Sequence, residues 1–137
     1  MNTSIEFRQA RLQDLESIHR WLDEFAEQAA LDDNVVFALR LAIEEVFVNL
    51  VHHGYKNAPG PVAIALHTFA DRVTVTIHDH APPFLPEQVP HPQLGQDWMT
   101  RPLGGLGWHF IREVMDEIRY ASNPKSGNVL TLVRRCS

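Results

Sequence analysis

Glu45 and Asn49, in the run Glu44-Glu45-Val46-Phe47-Val48-Asn49, stand one helical turn apart. At about 100° per residue, Glu45, Asn49 and His52 share one face of a helix, flanking its apolar stripe on the Ala42 side. A carboxylate and an amide thus point together along the edge of the core. On spacing alone a polar helix flank explains both residues equally, and E-x-x-x-N is weak in isolation. Glu44 lies on the opposite flank, where Arg40 four residues earlier can pair with it as part of a solvated surface. The second candidate is Asp79, at the end of Val73-Thr74-Val75-Thr76-Ile77-His78-Asp79. A period of two sets it on the face of Val73, Val75 and Ile77, which must pack against helices. An unpaired charge there costs several kcal/mol, so Asp79 should cap something or meet a ligand's donor. The competing reading is a strand-terminal aspartate that starts a turn before Pro82-Pro83. The third candidate is Leu103-Gly104-Gly105-Leu106-Gly107, directly before an apolar-periodic helix. Glycines there let free backbone N–H groups approach an anion, which the helix dipole favours, so the segment reads as a phosphate cradle or as the flexible end of a loop. It is neither the dinucleotide fingerprint nor the P-loop, because the glycine spacing and the following residues differ.

These residues need elements to hold them. Ile5 and Phe7 alternate with polar residues as in a short strand, and Leu15, Ile18, Leu22, Phe25 and Ala29 predict a helix over Leu12 to Ala30. Asp32 or Asp33 can cap a second helix, whose stripe Val36, Leu39, Ile43, Val46, Phe47 and Leu50 runs down to His53, with Gly54 at the exit. Val62, Ile64 and Leu66 form a hairpin with Val73, Val75 and Ile77 across Ala70-Asp71-Arg72. From His80 to Leu103 neither period survives, and six of the nine prolines fall there, which predicts a long binding loop or lid. Leu106, Phe110, Ile111, Val114, Met115 and Ile118 predict a third helix, Trp108 to Arg119, before a closing hairpin that turns at Asn123 to Asn128. The expected architecture is one α+β domain over residues 1–137, a two-layer sandwich with helices on one face of a mixed, mainly antiparallel sheet.

Composition narrows the class. Twelve Lys and Arg against seventeen Asp and Glu give a net charge of −5, and the basic residues are scattered, which argues against nucleic acid as a partner. No apolar run approaches the ~20 residues that cross a bilayer, and the start lacks a basic segment followed by an apolar one, so a soluble, cytoplasmic protein is expected. The single cysteine, Cys136, permits neither an internal disulfide nor a cysteine-based zinc cluster.

The order of the three candidates is more informative than any one of them. An E-x-x-x-N helix ending in His-Gly-Tyr, a strand ending in Asp before a loop, and a Gly-Gly-x-Gly helix start resemble the histidine-kinase-like (Bergerat-fold) ATPases, which include the ATPase subunit of DNA gyrase and sensor histidine kinases. Agreement is closest with the stand-alone bacterial anti-sigma-factor serine protein kinases. LAIEEVFVNLVHHGY is similar to that branch's first ATP box, DHAPPFLP to its second, and RPLGGLGWHFIREVMDEIRY with SGNVLTLV to its third box and closing strands. The resemblance covers about Ile5 to Arg134. It implies ATP and Mg²⁺ as cofactors, Glu45 as the general base, Asn49 as the Mg²⁺ ligand and Asp79 as acceptor for the adenine amino group. It places Ala81 beside the nucleotide, Gly104, Gly105, Leu106 and Gly107 around the phosphates, and either Asn128 or Thr131 at an adenine-proximal threonine position. One departure is plain: Ala81 stands where the family's second box usually has glycine. The resemblance also implies phosphorylation of a partner serine, with a sigma factor or an anti-anti-sigma protein as partner, and a homodimer for which surfaces such as Ile5 to Arg8 are available.

Two rivals come from other classes. A non-catalytic module would keep the fold and the nucleotide and hold its partner without phosphorylating it. A metal-dependent hydrolase is suggested by eight histidines, with His52-His53 and His78-Asp79-His80 near the candidate pocket. Adjacent helical histidines point about 100° apart, however, and no H-E-x-x-H is present.

Overall fold

The computed structural model describes residues 1–56, 58–83 and 105–136, with 105–107 described by their backbone alone. Strand β1 (Asn2–Ala10) leads through a 3₁₀ turn, Leu12–Asp14, into α1 (Leu15–Gln28). Helix α2 (Asp33–Asn49) follows and passes into a π-helical turn over Leu50–Gly54. Then come β2 (Gly60–Thr68), β3 (Arg72–Asp79), α3 (Gly105–Val114), β4 (Glu117–Asn123) and β5 (Gly127–Arg135).

The strands lie in the order β1-β2-β3-β5-β4, and every described pairing is antiparallel. Residues alternating along three neighbouring strands therefore share one face. Val62, Ile64 and Leu66, Val73, Val75 and Ile77, and Leu130 and Leu132 are all buried there. Ile18, Leu22 and Phe25 of α1, Leu39, Ile43 and Phe47 of α2, and Ile111 of α3 close over them from the helix layer. Burying such side chains is worth ~1.5–3 kcal/mol each, so the two-layer arrangement follows from the apolar periods themselves. β1 is an edge strand, which places Ile5 to Arg8 on an open side of the sheet.

Two boundaries differ from the expectation. The first helix ends at Gln28 rather than Ala30, because Ala30 takes a left-handed φ of 53° while the Leu31 N–H reaches back to the Ala26 carbonyl at 3.0 Å. That bond closes a Schellman-type turn. The third helix stops at Val114, and Ile118 and Arg119 belong to β4. Here the Asp116 N–H donates to the Val133 carbonyl at 2.7 Å, and its Oδ2 accepts from the Arg135 N–H at 2.6 Å, so the chain has already joined β5. Ile118 fits both periods: it follows Val114 and Met115 at helical spacing and precedes Tyr120 at strand spacing. Of the expected lid, His80 to Leu103, residues 84–103 lie outside the described residues. No described helix is long and apolar enough to cross a membrane.

Candidate functional site

Among the described residues three polar side chains are buried, Asn49, Asp79 and Asn128. They come from α2, β3 and β5. Asp79 and Asn49 line one small cavity between sheet and helices, with Val46, Leu50, Ile77, Trp108, Tyr120 and Leu130 as the apolar remainder.

Strand parity carries Asp79 inward with Val75 and Ile77, as its spacing predicts, and it is 4% exposed. Its Oδ1 accepts from the Ala81 N–H at 2.8 Å and from Asn128 Nδ2 at 2.8 Å. Burial pushes the Asp79 carboxyl above the usual carboxylate range, while those two hydrogen bonds and the nearby His78 and His80 pull it back. A carboxylate kept in this position is a strong acceptor for a ligand's N–H, and desolvation makes each such bond count for more.

Glu45 and Asn49 stand one turn apart on α2, and the buried Asn49 reaches the cavity. Burial first, and the neighbouring Glu44 second, raise the Glu45 carboxyl above its ordinary value. Among the described residues the buried Nδ2 of Asn49 has no hydrogen-bond partner. An orphaned buried amide nitrogen costs ~1–3 kcal/mol, so it is suited to a ligand's acceptor. Mg²⁺ is commonly held by one or two protein oxygens with phosphates and water completing the shell, and the amide oxygen of Asn49, with the Glu45 carboxylate one helical turn away on α2, is of the type that donor set needs.

Sequence reasoning missed how the end of α2 is built. After Asn49 the helix widens into a π turn, in which the Tyr55 N–H bonds back to the Leu50 carbonyl at 2.7 Å. Single π turns of this kind recur at functional sites. Gly54, expected as the exit, is the last residue of that turn; the left-handed φ of 52° falls on Lys56. The turn delivers Tyr55, whose hydroxyl accepts the His80 N–H at 2.8 Å and donates to the Pro61 carbonyl. Tyr55 thereby ties the end of α2 to the backbone immediately after Asp79. Its ring fills the space that a side chain at residue 60 would need, since a Cβ on Gly60 would collide with it. The Trp108 and Tyr120 rings carry no sequence signal of their own, because an aromatic on an apolar stripe looks like any core residue.

Ala81, standing in place of the usual glycine, is buried with its methyl toward Gly54, where a Cβ would come within 3.0 Å of it. The missing side chain at 54 is what makes room for the extra methyl at 81. Gly127 takes a φ of +92°, and a Cβ there would meet the Asp79 carbonyl at 2.5 Å, so only glycine allows the closing hairpin to approach the second box.

Several expectations change. Asn128, not Thr131, adjoins Asp79: Asn128, Leu130 and Leu132 face the core, whereas Thr131 pairs with Thr76 on the outer face. Gly105 and Gly107 lie inside the first turn of α3 rather than ahead of it, Leu106 lies between them, and Gly104 falls outside the described residues. Arg40 pairs with Asp23 of α1 at 2.6 Å, and Glu44 faces His19 Nε2 of α1 at 3.8 Å. His52 and His53 hold their rings 6.5 Å apart and tilted by 61°, and among the described residues no three His, Cys, Asp or Glu side chains are grouped to hold a metal ion. The hydrolase reading therefore finds no ligand set among the described residues.

Comparison with known proteins agrees with this geometry. Residues 8–134 match the family described as histidine kinase-like ATPase domain, and the chain belongs to that family. It is similar to the serine-protein kinase RsbW of Listeria innocua, 24% identical over 103 residues, or 72% of this chain and 66% of that protein. It is also similar to the serine-protein kinase RsbW of Bacillus cereus, 29% identical over 85 residues, or 59% of this chain and 53% of that protein. The chain thus spans between about half and two thirds of these relatives. A crystal structure of the RsbU and RsbW domains of a Mycobacterium tuberculosis protein shares the fold, with a TM-score of 0.66 at 17% identity over 97% of this chain and 32% of that one.

Proposed function

We propose that the chain is an ATP-dependent serine protein kinase of the anti-sigma-factor type, which binds a regulatory protein and phosphorylates it on serine. The observation that carries this reading is the convergence of Asp79 and Asn49 on one cavity, with Glu45 a helical turn from Asn49. Bound ATP with Mg²⁺ supplies the γ-phosphoryl group and the neutralisation of its charge. Asp79 accepts the amino group of the adenine, and the Ala81 backbone, bonded to Asp79 Oδ1 and to Asn128, helps hold that acceptor in place. The amide oxygen of Asn49 holds the metal. The backbone of Gly105, Leu106 and Gly107, at the positive end of the α3 dipole, receives phosphate oxygens together with Gly104. Glu45, made more basic by burial, takes the proton from the partner's serine hydroxyl as it attacks.

The partner is a protein, a sigma factor or an anti-anti-sigma protein, and the reading places the chain in the cytoplasm without direct contact with nucleic acid. The RsbW relatives are named serine-protein kinases, which supports a protein as the acceptor of the phosphoryl group, and the family assignment supports ATP as its donor. The test combines a pull-down from the native cell with incubation of the captured partner, Mg²⁺ and labelled ATP, followed by mapping of the phosphorylated residue. Transfer to a serine is expected. ATP binding without transfer to any bound partner would replace the kinase with a nucleotide-dependent binding module, and absence of ATP binding would remove both.

A further inference from the structure

Asn128 is 3% exposed, and both ends of its carboxamide are engaged. Nδ2 donates to Asp79 Oδ1 at 2.8 Å and to the Ala81 carbonyl at 2.7 Å, while Oδ1 accepts from the Ser122 hydroxyl at 2.7 Å. Chemistry dictates this orientation. The two partners on the nitrogen side are an ionised carboxylate and a carbonyl, neither of which carries a hydrogen, so an inverted amide would set oxygen against oxygen twice. Ser122 secures the opposite end from β4, where it sits directly across from Asn128.

The consequence falls on Asp79. Its Oδ1 receives both the Asn128 amide and the Ala81 N–H, which uses the acceptor capacity of that oxygen inside the protein. Among the described residues no hydrogen bond reaches Oδ2, which leaves it as the carboxylate's acceptor for a ligand in the cavity that Asp79 lines. Were Asp79 to become neutral, the proton would go to the oxygen not already receiving donors, and the group facing the ligand would turn from acceptor to donor. A base with an exocyclic amine needs the acceptor; a base with a carbonyl at that position would gain from the donor.

We propose that Asn128, and Ser122 acting through it, are positioning residues for base selection: they hold Oδ1 of Asp79 so that Oδ2 meets a 6-amino purine and rejects a 6-oxo one. This rests on the nucleotide-binding reading above. It assigns a role in the pocket to an exposed serine of the edge strand that need not touch the ligand at all.

The experiment compares ATP with inosine triphosphate, identical except for oxygen in place of the amine, by calorimetry with Mg²⁺ present. Wild type should prefer ATP. Ser122→Ala should lower the ratio of the two affinities by roughly 3–10-fold, the range expected for loss of one supporting hydrogen bond, and Ser122→Thr should restore the wild-type ratio. Asn128→Leu should abolish the preference; because it removes a buried polar contact and can unfold the protein, the decisive variant is Ser122→Ala, which trims only an exposed side chain. A ratio unchanged in Ser122→Ala, or both affinities falling by one common factor, would make the network mere scaffolding and overturn the proposal. If the wild type binds neither nucleotide, the nucleotide-binding reading itself fails and base selection fails with it.

Discussion

Gly54 and Ala81 share space for a single methyl, and exchanging which residue carries it tests how the second box is held. A Cβ on Gly54 would lie 3.0 Å from the Ala81 Cβ, against ~3.5–4.0 Å for an ordinary carbon contact, so Gly54→Ala demands a shift of about 0.5 Å or more. Ala81 is poorly placed to give way: its N–H is bound to Asp79 Oδ1 at 2.8 Å and its carbonyl to Asn128 at 2.7 Å. Overpacking of this kind costs ~1–3 kcal/mol, partly offset by the ~1 kcal/mol by which alanine exceeds glycine in a helix. Gly54→Ala should therefore lose about 0–2 kcal/mol. Ala81→Gly loses a buried methyl and rigidity in the unfolded chain, together about 1–2 kcal/mol. In the double variant the new methyl at 54 enters the space vacated at 81, so the two changes should couple favourably by about 1–3 kcal/mol. Urea denaturation of the four proteins measures this, and calorimetry on the same four should show ATP affinity lowered in Gly54→Ala and recovered in the double variant. Additive stabilities, with coupling below ~0.5 kcal/mol, would mean that the two residues do not compete for one space, and the account of Ala81 would be wrong.

Asp79→Asn can keep both hydrogen bonds on its oxygen while turning an NH₂ toward the cavity, so ATP affinity should fall at least ~10-fold while the fold persists; equal binding in calorimetry would show that the pocket is misplaced. The same pair of proteins reports on pH. Because burial raises the folded Asp79 pKa above its ordinary 3.8, the ionised carboxylate penalises the native state at neutral pH, and the penalty is relieved as pH falls through the folded value. The stability of Asp79→Asn relative to wild type should accordingly shrink on going from pH 7.5 toward pH 4, and urea midpoints that keep a constant gap would refute it. Glu45→Ala should retain ATP affinity while single-turnover transfer drops ~10²–10⁴-fold, whereas Asn49→Ala should also lose the Mg²⁺-dependent part of binding; wild-type transfer by Glu45→Ala would reduce Glu45 to a flank charge. Ala30→Gly should stabilise the protein by about 0.5–1 kcal/mol, because alanine at a φ of 53° is strained more than glycine's added chain entropy costs, and a lower melting temperature would contradict this.

What is legible in the sequence is whatever a period of two or 3.6 decides. Alternation along residues 73–79 brings Asp79 to the core face, and helical spacing puts Glu45 and Asn49 on one flank, because both inferences depend only on local geometry. The same rule, applied to Leu130 and Leu132, selects Asn128 over Thr131, since the strand's parity runs back to 128. Where two periods overlap, at Ile118, local pattern cannot decide, and only the Asp116 bond to Val133 shows that the sheet has taken over from the helix. Long-range complementarity is invisible to any local rule. Nothing near Gly54 announces a methyl arriving from residue 81, and nothing near Arg40 announces that Asp23 on α1 will displace Glu44 as its partner. The Ala81 departure shows why this matters for function. Read as a single position it suggests crowding at the nucleotide, but in the fold the methyl is turned against Gly54 while the Ala81 backbone supplies both a donor to Asp79 and an acceptor to Asn128. The substitution is thus compatible with a working pocket because its cost is taken up behind the site, on the helix that also carries Asn49.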